Sequence, residues 1–511
     1  MPRQPNVLFV MTDQQRGDTI AALGNPHVYT PNFDRLVARG AAFTQAYSPT
    51  PVCVAARYAV RTGRSALTTR VFSNGMEPAA AGQPEGMVAR CGPHLGTRMR
   101  QLGYRTFGVG KFHSNPWNED LGYDVHLHSE ELFGTPERRA TDAYAAFIAR
   151  EHPDFDYVEG LHGERSEMYY MPQMSPLPAA LTVESWAADR AVEQINVDDD
   201  RPFFGFLSFI GPHPPLAPPI PFNRLYDPDR MPSPIRGDID VDHADEQIPW
   251  MNHGVWAEDI SDAQARVLRA RYYGELTYID DCLGRVLDAV EARPDADNTV
   301  ICFFADHGDH LGDHRAWQKE SFFEASCRVP LLLSWPTGGI TPGDRRQELA
   351  SLIDLYGIAT GCAGEADLRD GSDLLGVLRG TTAPREQLFG LFGAPGTARF
   401  KVMVREGRWK YIFIANGGRE LLFDVAADPQ ELRQLAAGQP HVRARLRAAA
   451  AAYLAGPEGE GSRTEEGDLR AFEFAARPLQ RIYQFDRSRG IHGFPADPAT
   501  GLQQYRAARG D

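Results

Sequence analysis

Five short runs rich in aromatic and β-branched residues, at positions 7–11, 106–109, 203–209, 299–304 and 330–334, recur between segments with helical patterning. Apolar residues on consecutive positions suit strands buried on both faces, and strands that alternate with helices pair side by side in one direction. The expected fold class is therefore α/β, with a large, mostly parallel central sheet flanked by helices. The clearest helix starts at Ser261, where Ser261 and Gln264 have the spacing of a capping box. Leu268, Tyr272, Leu276, Ile279, Leu283, Val286 and Val290 fall on one stripe of it, and it ends before Pro294. That stripe is expected to pack on the sheet. The strand that follows delivers Asp306 and His307 at its carboxyl end, the edge at which open α/β sheets hold ligands.

The chain has 511 residues, more than one core usually fills, so a large domain over residues 1–370 and a smaller one over residues 371–511 are expected. Beyond residue 371 alternating runs at 400–406, 409–414 and 420–424 are punctuated by Glu406-Gly407 and Asn416-Gly417-Gly418. These are hairpin signals, so the smaller α+β part should hold an antiparallel sheet, then an alanine-rich helix and a tail. Residues 456–467 read as a polar linker. Residues 172–245, rich in proline and aspartate, read as a long irregular region of the kind that shapes a pocket rim.

Composition narrows the function classes. Hydrophobic content of 42% and charged content of 24% are those of a globular protein, and no apolar run approaches a membrane span. A net charge of −15 argues against a nucleic-acid surface, so any positive field must be local. Cys53, Cys91, Cys282, Cys302, Cys327 and Cys362 lie far apart without a CxxC pair, which indicates free thiols and suits a reducing compartment. The apolar run after Met1 is too brief for a signal-peptide core, so the cytoplasm is the expected location.

Five motifs carry chemistry. Asn6-Val7-Leu8-Phe9-Val10-Met11-Thr12-Asp13-Gln14 is a strand ending in a carboxylate. In Cys53-Val54-Ala55-Ala56-Arg57 the arginine lies one helical turn after the cysteine and faces the same side. Gly110-Lys111-Phe112-His113 sets a cation and an imidazole two apart, pointing the same way on an extended segment. In Gly211-Pro212-His213-Pro214-Pro215, prolines stiffen the backbone around an imidazole. Asp306-His307-Gly308-Asp309-His310-Leu311-Gly312-Asp313-His314, followed by Lys319, crowds ionisable groups at a strand end beyond what packing explains. Taken singly, each has a bland reading: a buried thiol, a loop aspartate, a surface histidine.

Together, in this order over the first two thirds of the chain, the motifs resemble those of the type I sulfatases, the formylglycine-dependent branch of the alkaline-phosphatase-like superfamily. Cys53, Ala55 and Arg57 meet its Cys-x-Pro/Ala-x-Arg signature. The resemblance implies hydrolysis of a sulfate monoester, with Cys53 oxidised to formylglycine by a formylglycine-generating enzyme. It implies one divalent metal held by Asp13, Gln14, residue 53, Asp306 and His307, and catalytic roles for Cys53, Arg57, Lys111, His113, His213 and Lys319. Calcium is the expected metal, while Gln14 with His307 equally suits magnesium or manganese. Many relatives carry two aspartates where this chain has Asp13 and Gln14, a change that weakens the pull on a cation without deleting an oxygen donor.

Two rival readings stand beside this one. A phosphonate monoester hydrolase or phosphodiesterase of the same superfamily shares the aldehyde and often the Asp-Gln pair, but lacks the cationic pair Lys111 and His113. A non-catalytic, metal-stabilised binding relative needs a vestigial site, and no necessary group is deleted. The sulfate ester and the oligomeric state are left open by the sequence. Tyr169, Tyr170, Trp250, Trp256 and Trp317 are candidates for an aromatic wall around the substrate, or for residues that pack the rim loops.

Overall fold

The computed structural model describes residues 4–130, 136–156, 170, 172, 174–237, 245–246 and 260–477. Tyr169, Trp250, Trp256 and the tail beyond residue 477 lie outside the described residues.

Eight strands form the central sheet: β1 (Asn6–Thr12), β2 (Ala41–Phe43), β3 (Arg105–Gly110), β4 (Val125–His128), β5 (Phe203–Ser208), β6 (Thr299–Ala305), β7 (Leu331–Ser334) and β8 (Asp344–Arg346). Their spatial order is β8-β2-β7-β6-β1-β5-β3-β4. All pairs are parallel except those of β7, which runs antiparallel to both neighbours. The five apolar runs expected as strands all lie in this sheet. Strand β1 sits at its centre, and its residues feed two separate cores. Val7, Phe9 and Met11 join Phe204, Phe304 and Leu355 on one face, while Leu8 and Val10 join Leu207 and Phe303 on the other.

That second face is covered by the helices Pro31–Arg39 and Ala143–Glu151 together with α2 (Val183–Ile195) and α3 (Asp262–Glu291), while α1 (Cys53–Thr62) packs on the first. The capping box at Ser261 forms as expected, with Gln264 N–H donating to the Ser261 hydroxyl and the Gln264 side chain accepting from the Ser261 N–H. All seven residues of the expected stripe are buried. The expectation of an irregular region over 172–245 fails at α2. The helix is capped by the Thr182 hydroxyl, which accepts from Ser185 N–H, and it buries Val183, Trp186, Ala187, Ala191 and Ile195. That helical spacing was present in the sequence, masked by the prolines and aspartates on either side.

Four antiparallel strands, β9 (Gln387–Phe392), β10 (Lys401–Glu406), β11 (Trp409–Ile414) and β12 (Arg419–Asp424), form a second sheet in sequential order. One face packs Met403, Ile412 and Phe423 against Val54, Ala55 and Tyr58 of α1. The other packs Val402, Val404 and Phe413 against Leu446 and Ala450 of α4 (Pro440–Tyr453). The sheet therefore braces the helix that begins with Cys53. Residues 456–467 are not a linker: Ser462 is buried, its hydroxyl donates to Gly459 O at 2.5 Å, and Arg463 pairs with Leu469. Local backbone bonding to glycine carbonyls orders a stretch whose polarity suggested otherwise. Among the described residues no helix is long and apolar enough to cross a membrane. All six cysteines are free and buried.

Candidate active site

The carboxyl ends of β1, β3, β5 and β6 bring the motif residues together. Asp13 follows directly on β1 and Asp306 on β6, and both carboxylates are fully buried. Gln14 follows in the left-handed region (φ 67°), which turns the chain so that its N–H donates to Asp306 Oδ1 at 3.0 Å. β3 ends at Gly110, where a Cβ would stand 1.9 Å from the Ser208 carbonyl oxygen. Only glycine permits that approach, and it sets Lys111 inside the site.

Cys53 is the first residue of α1, so its side chain stands at the helix's positive end. The next N–H, of Val54, is bound by Asn74 Oδ1 at 3.1 Å. Cys53 Sγ lies 3.1 Å from His307 Nε2 and 3.8 Å from Asp13 Oδ1. One donor atom each from Asp13, Cys53, Asp306 and His307 lie within 4.8 Å of one another. His307 Nδ1 donates to the Gly308 carbonyl at 3.0 Å, which leaves Nε2 as the ring nitrogen that faces the carboxylates and can give up its proton to a metal ion.

Arg57, one turn along α1, bridges the cluster. Its Nη2 donates to Asp13 Oδ2 at 2.9 Å and its Nε to Asp306 Oδ2 at 3.0 Å. Its Nη1 reaches Ser208 Oγ at 3.0 Å and the Lys111 carbonyl at 2.5 Å. Lys111 Nζ is 2.6 Å from Asp13 Oδ2. Burial resists ionisation of Asp13, yet Lys111, His213 and Arg57 together hold its carboxyl well below the usual range. Burial, then the Asp13 charge, pushes Asp306 up to about 6. Burial works against charging His307, but Asp306 and Cys53 raise it to about 8. Burial and Asp13 oppose a Cys53 thiolate, and Lys319, His307 and Lys111 outweigh them, holding the thiol well below its ordinary value.

These residues fit a divalent cation. Two buried carboxylates repel each other across the cluster, an imidazole lone pair joins them, and a hard ion between such donors replaces repulsion with coordination. Gln14 borders this group through its backbone, while its side chain is turned to Lys319, whose Nζ donates to Gln14 Oε1 at 2.6 Å. Gln14 Nε2 donates to Asp309 Oδ2 at 2.5 Å and to Tyr170 OH at 2.9 Å. A cation on one side and a carboxylate on the other fix which way the amide points.

His213 is buried, with Nδ1 donating to the Pro214 carbonyl at 2.7 Å. His113 is half-buried in the left-handed region (φ 49°), and its N–H is bound by the Glu130 carboxylate. Three contributors escaped the sequence reading: Ser208, Asn74 and Glu130. Ser208 ends an expected strand and was legible as a strand-end hydroxyl; Asn74 and Glu130 carry no local signal. Asp309 Oδ1 accepts from Leu311 and Gln318 N–H groups at 2.8 and 3.1 Å, and its Oδ2 from Gln14 and Tyr170, so it orders the loop that presents Lys319. Trp317, expected as one candidate for an aromatic wall, is fully buried with its ring 5.3 Å from that of Tyr170, and packs the loop instead.

The sulfatase family model matches residues 5–365. The chain belongs to the sulfatase family. It is 29% identical to the choline-sulfatase of Rhizobium meliloti (strain 1021) over 461 residues, 85% of this chain and 82% of that protein. It is 26% identical to the arylsulfatase of Clostridium perfringens (strain 13 / Type A) over 450 residues, 84% of this chain and 90% of that one. Among solved structures, the phosphonate monoester hydrolase of Agrobacterium radiobacter shares the fold with a TM-score of 0.73 at 24% identity, covering 92% of this sulfatase and all (100%) of that chain. The sulfatase is thus a hydrolase of sulfate esters with an alkaline-phosphatase-like fold, and the Cys53 signature lies within the matched residues.

Proposed function

We propose that this sulfatase uses residue 53, as formylglycine, for nucleophilic attack on the sulfur of a sulfate monoester, beside one divalent ion held by Asp13, Asp306, His307 and residue 53. The observation that carries the reading is the convergence of four buried donors within 4.8 Å, with Cys53 Sγ at the head of α1. Sγ stands for the oxygens of a hydrated aldehyde. Gln14 borders the donors through its N–H, which Asp306 Oδ1 accepts, and calcium is the first ion to test, with magnesium and manganese beside it. When bound, the ion supplies a positive charge that favours an ionised oxygen on residue 53 and polarises a sulfate oxygen. The hydrated aldehyde supplies two oxygens on one carbon, one to bond sulfur and one whose proton loss releases sulfate.

The chain's own side chains do the remaining work. Lys111 and Lys319 offset charge on the sulfuryl oxygens. Arg57 holds Asp13 and Asp306 at one spacing and hydrogen-bonds residue 53. His213, whose Nδ1–H donates to the Pro214 carbonyl, directs Nε2 to the leaving oxygen and, as the imidazolium, delivers the Nε2 proton there, with Lys319 as the second donor. His113 takes the proton from the second oxygen of residue 53.

The choline-sulfatase and arylsulfatase relatives make small quaternary-ammonium and aryl esters the first substrates to try. The test pairs peptide mass analysis with turnover: active protein should carry residue 53 with sulfur replaced by an aldehyde oxygen, and should cleave an aryl sulfate faster than a phosphonate monoester. A full complement of unmodified thiol in active enzyme, or a preference for the phosphonate, overturns the reading. Maturation by a formylglycine-generating enzyme before folding closes the site is consistent with a residue 53 that is 1% exposed.

A further inference from the structure

The peptide of Gly211 links two parts of the site. Its carbonyl accepts the Asp13 N–H at 3.3 Å, and the turn it opens carries His213, whose N–H is bound by Ile210 O at 3.3 Å. Two carboxyl groups meet this turn from the helices beneath it: Glu184 at the start of α2 and Glu275 midway along α3, 3% and 5% exposed. The Gly211 N–H and the Thr182 hydroxyl reach the Glu184 carboxyl. Glu275 Oε1 stands 3.1 Å from where a Cβ on Gly211 would be. The Oε2 atom of each is buried and meets no donor.

No described cation offsets either group. On α2 and α3 the facing titratable groups are the Tyr278 phenol and the Cys282 thiol, both neutral. The Arg285 guanidinium is spent on Asp189, Ser185 Oγ and Cys282 Sγ. From the turn the Gly211 N–H approaches. Two buried carboxylates on one peptide without a cation disfavour double ionisation, and a single shared proton relieves it.

We propose that Glu184 and Glu275 form a proton-sharing carboxyl pair that positions the turn at residues 211–213, and with it Asp13 and His213, for sulfate ester hydrolysis. This deepens the proposed function and rests on its reading of His213 as the group that faces the leaving oxygen. Neither glutamate touches substrate; both act through the Gly211 peptide. Burial pushes Glu184 up to about 7, and burial with Glu184 alongside raises Glu275 well above the usual carboxylate range. The folded protein thus keeps protons that the unfolded chain releases near pH ~4.3. The pair's contribution to stability is full below that pH and is lost as pH rises through about 7, because the folded state then binds more protons than the unfolded one.

The test uses the full chain and Glu275→Gln, whose amide N–H takes the place of the shared O–H donor without titrating. Melting temperatures of wild type and variant are compared from about pH 5 to about pH 9, with no substrate present. The variant should gain on wild type steadily as pH rises; a difference that stays constant with pH overturns the shared proton. If Glu275→Gln does not fold, infrared spectra of wild-type protein with isotope-labelled glutamate decide: a protonated-carboxyl band at neutral pH supports the pair and its absence refutes it. Positioning is read separately on an aryl sulfate. Glu275→Ala should lower kcat by about tenfold with KM little changed, while Glu275→Gln restores most of it. Equal kcat in the alanine variant and wild type overturns the positioning role. The melting series needs no turnover, so failure of the sulfatase mechanism and failure of the pair give different results.

Discussion

Arg57 offers the sharpest energetic test of the site. Its side chain is 1% exposed and bonds two carboxylates that are themselves 0% exposed. Arg57→Met keeps much of the stem and removes the charge together with the bonds to Asp13, Asp306, Ser208 and the Lys111 carbonyl. Breaking a buried ion pair from one side costs about 3–5 kcal/mol, because a charge is left uncompensated. Asp13 retains Lys111 at 2.6 Å, so the stranded charge is chiefly that of Asp306, which favours the lower end, about 3 kcal/mol. A divalent ion among the same carboxylates supplies much of the missing compensation. Urea unfolding of wild type and variant, each in chelator and in saturating calcium, measures both terms. The loss in chelator should be about 3 kcal/mol and should shrink to about half of that or less in calcium. Equal losses under the two conditions would refute the claim that Arg57 and the ion serve the same carboxylates.

Other outcomes follow from the same geometry. His213→Gln and Lys319→Met should each slow an alkyl sulfate about 10²-fold more than a nitrophenyl sulfate, since only the poor leaving group needs a proton; equal effects on both, measured as kcat/KM, contradict the assignment. Lys410, buried between Glu324 at 2.9 Å and Glu431, ties the four-stranded sheet to the loop after Lys319. Lys410→Met should therefore lower stability by about 3 kcal/mol in urea titration, and a loss below about 1 kcal/mol contradicts that tie. Burial pushes Asp142 up to about 6 although it accepts the Ala145 and Glu130 N–H groups. Its folded value lies above its unfolded one, so its contribution is full below pH ~4 and lost as pH rises toward about 6. Asp142→Asn should accordingly melt higher relative to wild type at about pH 7.5 than at about pH 4, and a pH-independent difference contradicts the assignment.

Much of the fold was legible because strands buried on both faces cannot hide. β1, β3, β5, β6 and β7 each read as unbroken apolar runs, and the carboxyl ends of β1 and β6 carry Asp13 and Asp306. The convergence of those carboxylates with Cys53 and His307 was legible only as a resemblance to a family, since residues 13, 53 and 306 are brought together by sheet order, which no local pattern encodes. The helix α2 was missed although its spacing was present, because proline and aspartate on either side dominated the reading. Gln14 was read from its amide oxygen alone. Its partners, Lys319 and Asp309 from one loop and Tyr170 from another segment, all lie more than a hundred residues away, and a side chain with both donor and acceptor takes whichever neighbours the tertiary fold supplies. Glu184 and Glu275 look like ordinary helix-surface glutamates in the sequence; only the packing of α2 on α3 removes them from water.

The central claim is that residue 53 and a divalent ion share one coordination sphere. Anomalous diffraction from crystals of the active enzyme grown with calcium or manganese tests it directly. The account predicts one ion peak with Asp13, Asp306 and His307 donors and an oxygen of residue 53 all within about 2.6 Å. A peak elsewhere, or a coordination sphere from which residue 53 is absent, contradicts it.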